Sequence, residues 1–292
     1  MRIMRRSESL AAHRVLGLGA LVVVALTFGG CRGFNPDDFD VIDMDQVADP
    51  HNFKYDPQNL TPQALEDRMK EADQLFAEPR SFGKVLASYE ICLKSISERN
   101  NYAALWRGAR ACAWIALNDD SKARRLEYAM KGRKIGREAT RRTGSDIQPE
   151  SHYYYALCLG AQAEVSGDPS RAFLEHMRDE MKIVVSLGET IDHCGPHRFL
   201  GDLYVKSSEY PLHAVGTLEE GLRHLKRAAE ICPDYGENHL AYATALASEK
   251  ETELARAELE KVMASPKPRD RSAEHHAWLV KATALLTDLQ GK

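Results

Sequence analysis

The sequence predicts an all-α chain of successive helical hairpins, and three observations carry that prediction. Ala, Leu, Glu, Lys and Arg are abundant, whereas the 292 residues hold only 3 Trp and 8 Phe, a helix-forming composition. From Thr61 onward apolar residues recur at the three- and four-residue spacing of a buried helical stripe, interrupted by short polar breaks. No segment reads as a strand hairpin, and small residues return at related positions from one segment to the next.

The first 60 residues stand apart from this pattern. Arg2, Arg5, Arg6 and Arg14 form a positive front end, and Val15 to Phe28 is apolar or small throughout. As a helix that run spans roughly 21 Å, against about 30 Å of hydrocarbon in a bilayer, so it matches the middle of a signal peptide better than a spanning helix. It ends at Gly29-Gly30-Cys31. Small residues directly before a cysteine resemble the bacterial lipobox, whose cysteine receives a diacylglycerol and further acyl chains such as palmitate and becomes the new N-terminus. Phe28 stands where that motif usually has Leu. The expectation is a signal peptide over residues 1–30 and lipid attachment at Cys31; an uncleaved N-terminal anchor and a soluble chain are the alternatives. Arg5-Arg6 has the look of a twin-arginine signal, without the usual apolar residue two positions on.

Residues 31–60 read as an acidic tether. Asp37, Asp38, Asp40, Asp43, Asp45, Asp49 and Asp56 lie among prolines with few periodic apolar residues. Arg32, not Asp, follows Cys31, which by the usual bacterial sorting preference directs the chain to the outer rather than the inner membrane, facing the periplasm. Residues 1–30 carry four arginines and one glutamate, so their removal leaves 35 basic against 42 acidic residues and moves the formal charge from −4 to −7. That balance gives no support for nucleic-acid binding. Beyond Cys31 remain Cys92, Cys112, Cys158, Cys194 and Cys232, an odd number with no CxxC pair. They form neither a disulfide framework nor a zinc ribbon, and most sit in apolar helical patterns as small buried hydrophobes; at most two bridges could form.

The helical domain occupies residues 61–292. Thr61-Pro62 opens it, with Thr as N-cap and Pro at the first helical position, and Asp168-Pro169 opens a later helix in the same way. Helices are expected over 62–77, 82–98, 101–117, 122–142, 150–166, 170–188, 196–208, 217–231, 236–248, 252–263 and 271–290. The first ten make five pairs. Leu200, Gly201 and Tyr204 in one pair correspond to Tyr242, Ala243 and Leu246 in the next. Their second helices carry Gly221, Leu225, Ala228 and a closing Pro233, then Ala255, Leu259, Val262 and a closing Pro266. Gly160 with Ala163, and Ala109 with Cys112, repeat the theme, and Ala72 opens a degenerate first copy.

These positions resemble the tetratricopeptide repeat, in which small residues let paired helices approach closely and a proline ends the unit. The small residues lie 37, 51, 41 and 42 positions apart, against about 34 in an ideal unit, so these repeats carry extensions. One extension is "VKSSEYPLHAVGT", about eight residues longer than a tight turn needs. The last helix would cap the final unit through Ala277, Leu279, Val280, Ala284 and Leu285. The order "HYYYALCLGAQAEVSGD", "CGPHRFLGDLY", an inserted loop with Pro211, then "EEGLRHLKRAAEICPDYGENHLAYATAL" is similar to bacterial tetratricopeptide lipoproteins, including those associated with TRAP-type transporters. The likeness covers roughly residues 100–265. It implies a periplasmic accessory that binds a protein partner, and a small organic ligand as well, without catalysis or cofactor.

No catalytic signature stands beside this reading: GxGxxG, a Walker A lysine, HExxH and GxSxG are all absent from the sequence. His193, Cys194 and His197 match no standard zinc spacing and are read as a loop before Gly195-Pro196, so no metal site is expected. His275-His276 is read as a solvated face. Two surfaces qualify as binding sites. On the first helices of the units, Trp106, Arg110 and Trp114 share a stripe, and repeat alignment directs Tyr154, Leu157, Arg198 and Asp202 to the same groove. Rings flanking a guanidinium suit a peptide or a carboxylate-bearing ligand; burial of the tryptophans between units is the competing explanation. The helix over 122–142 carries Lys122, Arg124, Arg125, Lys131, Arg133, Lys134, Arg137, Arg141 and Arg142 against only Glu127 and Glu138. It reads as a face for anionic headgroups, an acidic partner or the chain's own tether, or else as a solvated face paired with neighbouring acids. Gly132 and Gly136 on this helix mark close helix packing. Two functions follow: a scaffold for protein partners in the cell envelope, with an open groove, or a carrier of a small organic acid for a transporter, with an enclosed polar pocket.

Overall fold

The computed structural model describes residues 60–77, 79–98, 101–141, 148–167 and 169–290. The leader, the tether and Cys31 lie outside them, as do Arg142 and Asp168. Among the described residues the chain forms eleven α-helices and no strand. They are α1 (Pro62–Phe76), α2 (Phe82–Glu98), α3 (Tyr102–Asn118), α4 (Lys122–Arg141), α5 (Pro149–Ser166), α6 (Arg171–Gly188), α7 (Ile191–Ser208), α8 (Leu218–Ile231), α9 (Gly236–Ser248), α10 (Thr252–Ala264) and α11 (Ser272–Gln290). Each packs on its neighbours in sequence, and first helices also meet the first helices of adjacent pairs, the arrangement of a tetratricopeptide-like solenoid.

Local chemistry explains the boundaries. Thr61 Oγ1 accepts from the Ala64 N–H at 3.2 Å, and Asn101 Oδ1 accepts from Ala104 at 2.8 Å, each satisfying an orphan donor of the first turn. Ser170 caps α6, and Thr217 with Glu220 forms a complete capping box on α8. Gly167 ends α5 at φ +83°, where a side chain would be strained.

The repeat positions perform the packing expected of them. A Cβ on Gly201 would lie 2.5 Å from Leu225 Cγ, and one on Gly221 would lie 2.9 Å from the Val205 backbone nitrogen, so α7 and α8 touch backbone to backbone. Ala109, Gly160, Leu200, Tyr204, Ala228, Ala243 and Ala255 are buried, while Pro233 sits exposed in the turn after α8. Gly132 lets α4 wedge between α3 and α5; a Cβ there would come within 2.6 Å of Cys112 Cβ. Cys92, Cys112 and Cys158 are free, buried thiols, whose pKa values burial pushes far up.

The core is continuous across α2 to α7, with a second cluster around α9 to α11. The capping helix corrects the face expected for it. Trp278, Ala282 and Leu289 are its buried apolar side chains, and the expected Leu279 and Leu285 pack beside them, whereas Val280 is 55% exposed and Ala284 faces outward. Trp278 explains the shift: its ring meets Tyr235 edge-on at 4.9 Å and sets the rotation of α11.

Candidate functional site

The inner surface is built from the first helices and from two loops that reach it. On α3, Arg107 and Arg110 both grip Asp73 of α1, at 2.9 and 2.7 Å. The Arg110 guanidinium lies 4.1 Å from the Phe76 ring centre and 5.1 Å from that of Trp106. Trp106 in turn stacks on Tyr154 of α5, with centroids 6.0 Å apart and planes 9° apart. Arg110 Nε and Trp114 Nε1 are buried without a hydrogen-bond partner.

Tyr154 connects this stripe to a denser ionic cluster. Its phenol is pushed up to about 12 by burial, with Arg110, Arg271 and Arg80 pulling it back and Asp192 raising it. Those four residues come from α3, the loop before α11, the loop before α2 and the opening of α7. At their centre Asp192 accepts from the Tyr153 hydroxyl at 2.7 Å and pairs with Arg271. Burial alone would raise the Asp192 carboxyl, yet Arg271 and Arg198 together with the Tyr153 hydroxyl hold it at about 2. Arg198 donates to the carbonyls of His193 and Asp192 and to Asn238 Oδ1, with Glu237 3.6 Å away. Burial raises the Glu237 carboxyl against the pull of Arg198. Arg80 reaches Glu274 at 3.4 Å, a contact between residues 194 apart in sequence.

The backbone beneath this cluster is unusual. Asp192, His193 and Cys194 are three consecutive non-glycine residues in the left-handed region, at φ 48°, 54° and 64°. Each costs on the order of 1–2 kcal/mol, so surrounding contacts must hold them. His193 stacks on Tyr235 at 4.3 Å and bonds Asp270 at 2.7 Å; Cys194 is tied to Cys232 by a disulfide; Arg198 clamps both preceding carbonyls. Gly195 follows because a Cβ there would strike the Tyr153 hydroxyl. The disulfide also removes Cys194 from any metal-binding role, and among the described residues no group of three or more His, Cys, Asp or Glu could hold an ion.

The structure therefore brings Trp106, Arg110, Tyr154 and Arg198 to one inner surface, with Trp114 beside them. Leu157 packs in the core instead, and Asp202 pairs with Lys206 on its own helix at 3.9 Å. Sequence reasoning missed Arg271, Asp192, Glu237, Arg80 and Asp73. The Asp-His-Cys before Gly195-Pro196 was visible as a loop, but nothing local links it to an arginine 79 residues away.

On α4, the basic residues divide. Arg124 pairs with Asp119, Arg125 with Glu164 and Lys131 with Glu127, while Arg133 donates to Gln162 at 3.2 Å. Lys134 and Arg137 are half-buried and Arg141 is exposed.

A family model described as RMD1-3, regulator of microtubule dynamics protein 1-3, matches residues 68–177, which run from within α1 into α6 and make 110 of the 292 residues. A comparison with curated proteins finds no match.

Proposed function

We propose that this chain is an exported, lipid-anchored, non-catalytic binding protein of the bacterial cell envelope, whose repeats hold a small organic acid on the inner surface and dock a protein partner. The observation that carries the ligand is the set of buried arginine donors on that surface. Arg271 is 5% exposed and its Nε and Nη1 lack hydrogen-bond partners, while Arg110 Nε is likewise unpaired. Buried guanidinium N–H groups without hydrogen-bond acceptors, beside an aromatic stack, suit a carboxylate on a small body. The scaffold reading has its own support in the solenoid architecture, to which the regulator-of-microtubule-dynamics match adds.

Export is supported by the leader ending at Cys31 and by the Cys194–Cys232 bridge, since disulfides persist in oxidising compartments. The family resemblance extends this to an outer-membrane lipoprotein facing the periplasm and to a TRAP-type transporter as partner. Two experiments test the reading. Cys31→Ser should release the chain from the membrane fraction and abolish labelling by palmitate; retention with undiminished labelling contradicts the anchor. Arg110→Ala should weaken capture of co-purifying carboxylates, and unchanged affinity would remove Arg110 from the binding surface.

A further inference from the structure

At the opening of α7 a disulfide joins buried Cys194 to Cys232, the C-cap of α8. The bridge closes the left-handed run in which Asp192 sits. We propose that it is a redox latch: reduction by a dithiol releases residues 192–194 and lets Asp192 leave its place between Arg198 and Arg271. The latch needs only this bridge and the groups around it, and acts whether or not the inner surface holds a ligand.

The two cysteines are unequally placed. Cys194 is fully buried, whereas Cys232 is half-buried and followed by exposed Pro233 and Asp234. A thiolate arriving from solvent meets Cys232 first. It bonds to Cys232 Sγ, the bond between the two cysteine sulfurs breaks, and Cys194 leaves as a thiolate that takes up a proton in its buried site. The second thiol of the reductant then attacks the mixed disulfide and releases Cys232 as a thiol. Two electrons and two protons pass from the dithiol to the bridge, and the dithiol ends as a disulfide.

The surroundings carry that event to the ionic cluster. Asp192, His193 and Cys194 lie at φ 48°, 54° and 64°, a region that non-glycine residues disfavour, so the run relaxes when its ties are cut. The non-covalent ties share an anchorage with the bridge, the turn between α8 and α9. Tyr235, three residues beyond Cys232, stacks on His193 at 4.3 Å. Asn238 donates to the Cys232 carbonyl at 3.0 Å and accepts from Arg198 at 2.7 Å, and Arg198 in turn holds the carbonyls of Asp192 and His193. The remaining tie, His193 to Asp270, is exposed to water and correspondingly weak. Opening the bridge thus loosens the stack and the clamp together. Once Asp192 moves, Arg198 and Arg271 lose the carboxylate they share.

Hydrogen exchange and thiol alkylation of the full chain in mild detergent, both read by peptide mass spectrometry, test this with dithiothreitol as the dithiol. In the native reduced chain iodoacetamide should label Cys232 and also Cys194, whose site becomes accessible only if the run opens. The free core thiols Cys92, Cys112 and Cys158 should stay unlabelled, which shows that the fold persists. Exchange across residues 190–198 should rise by about tenfold or more on reduction, with α3 and α5 unchanged, and should return on reoxidation. Cys232→Ala should show the fast exchange and the Cys194 labelling without reductant, and no response to it. The reduced parent chain carries the test by itself if that variant does not fold. Labelling of Cys232 alone, exchange across 190–198 equal in both redox states, or reduction only with simultaneous labelling of the three core thiols would overturn the proposal.

Discussion

Asp192 is the residue on which the inner surface turns. Its carboxylate is ionised and buried between Arg198 and Arg271, so removing that charge strands two guanidiniums. Asp192→Asn should therefore cost about 3–5 kcal/mol, measured by urea unfolding, where an exposed pair would cost under about 1. The folded pKa of about 2 lies below the ordinary 3.8, so this stabilisation is complete above pH 4 and disappears as pH falls towards 2. His224 acts at milder pH. Burial, and then the charge of His197 beside it, lowers it from 6.5 to about 4, and the two Nδ1 atoms are 2.8 Å apart. Below pH 6.5 the unfolded chain takes up a proton that the folded one refuses, so the melting temperature should fall from pH 6.5 to 4, and fall less in His224→Gln. At this scale the sequence was only half legible. Arg198 and Arg110 stood at helical spacing from recognisable repeat positions, but Asp192 and Arg271 meet across 79 residues with no periodicity to announce them.

At the scale of elements, the periodic pattern placed every helix within a residue or two, because each has either a polar cap, such as Thr61, Asn101 or Thr217, or a proline or glycine at its edge. The exception is the opening of α7, where three left-handed residues precede Gly195. Propensity disfavours that conformation, and the disulfide, the Tyr235 stack, the Asp270 bond and the Arg198 clamp make it tenable. Cys232→Ala should lower stability by about 2–4 kcal/mol, and reductant should destabilise the parent chain but not the variant; equal sensitivity would contradict the bridge. The repeat glycines make a separate prediction. Gly221→Ala forces a Cβ against the Val205 backbone, which cannot rotate away, and should cost about 1–3 kcal/mol, whereas Gly83→Ala has open space and should be near neutral or slightly stabilising. The face of α11 was misjudged for a related reason. An apolar count favoured Val280 and Ala284, but the bulk of Trp278 chose the rotation.

For the whole molecule, the fold class was legible because a solenoid is written locally: each hairpin meets only its neighbours, and small residues recur where helices touch. The contact of Arg80 with Glu274 was not legible, since the two residues belong to opposite ends of the described chain. The organic acid proposed for the inner surface is a reading of the buried arginines there, and it has to be tested on the whole molecule. The most direct measurement is native mass spectrometry of the full chain, purified from its own cells in mild detergent, beside Arg271→Gln prepared in the same way. The account predicts one organic acid per chain in the parent and little in the variant, with the anchor mass on Cys31 in both. A parent chain without any bound acid, or a variant that retains it in full, would contradict the inner surface as a binding site.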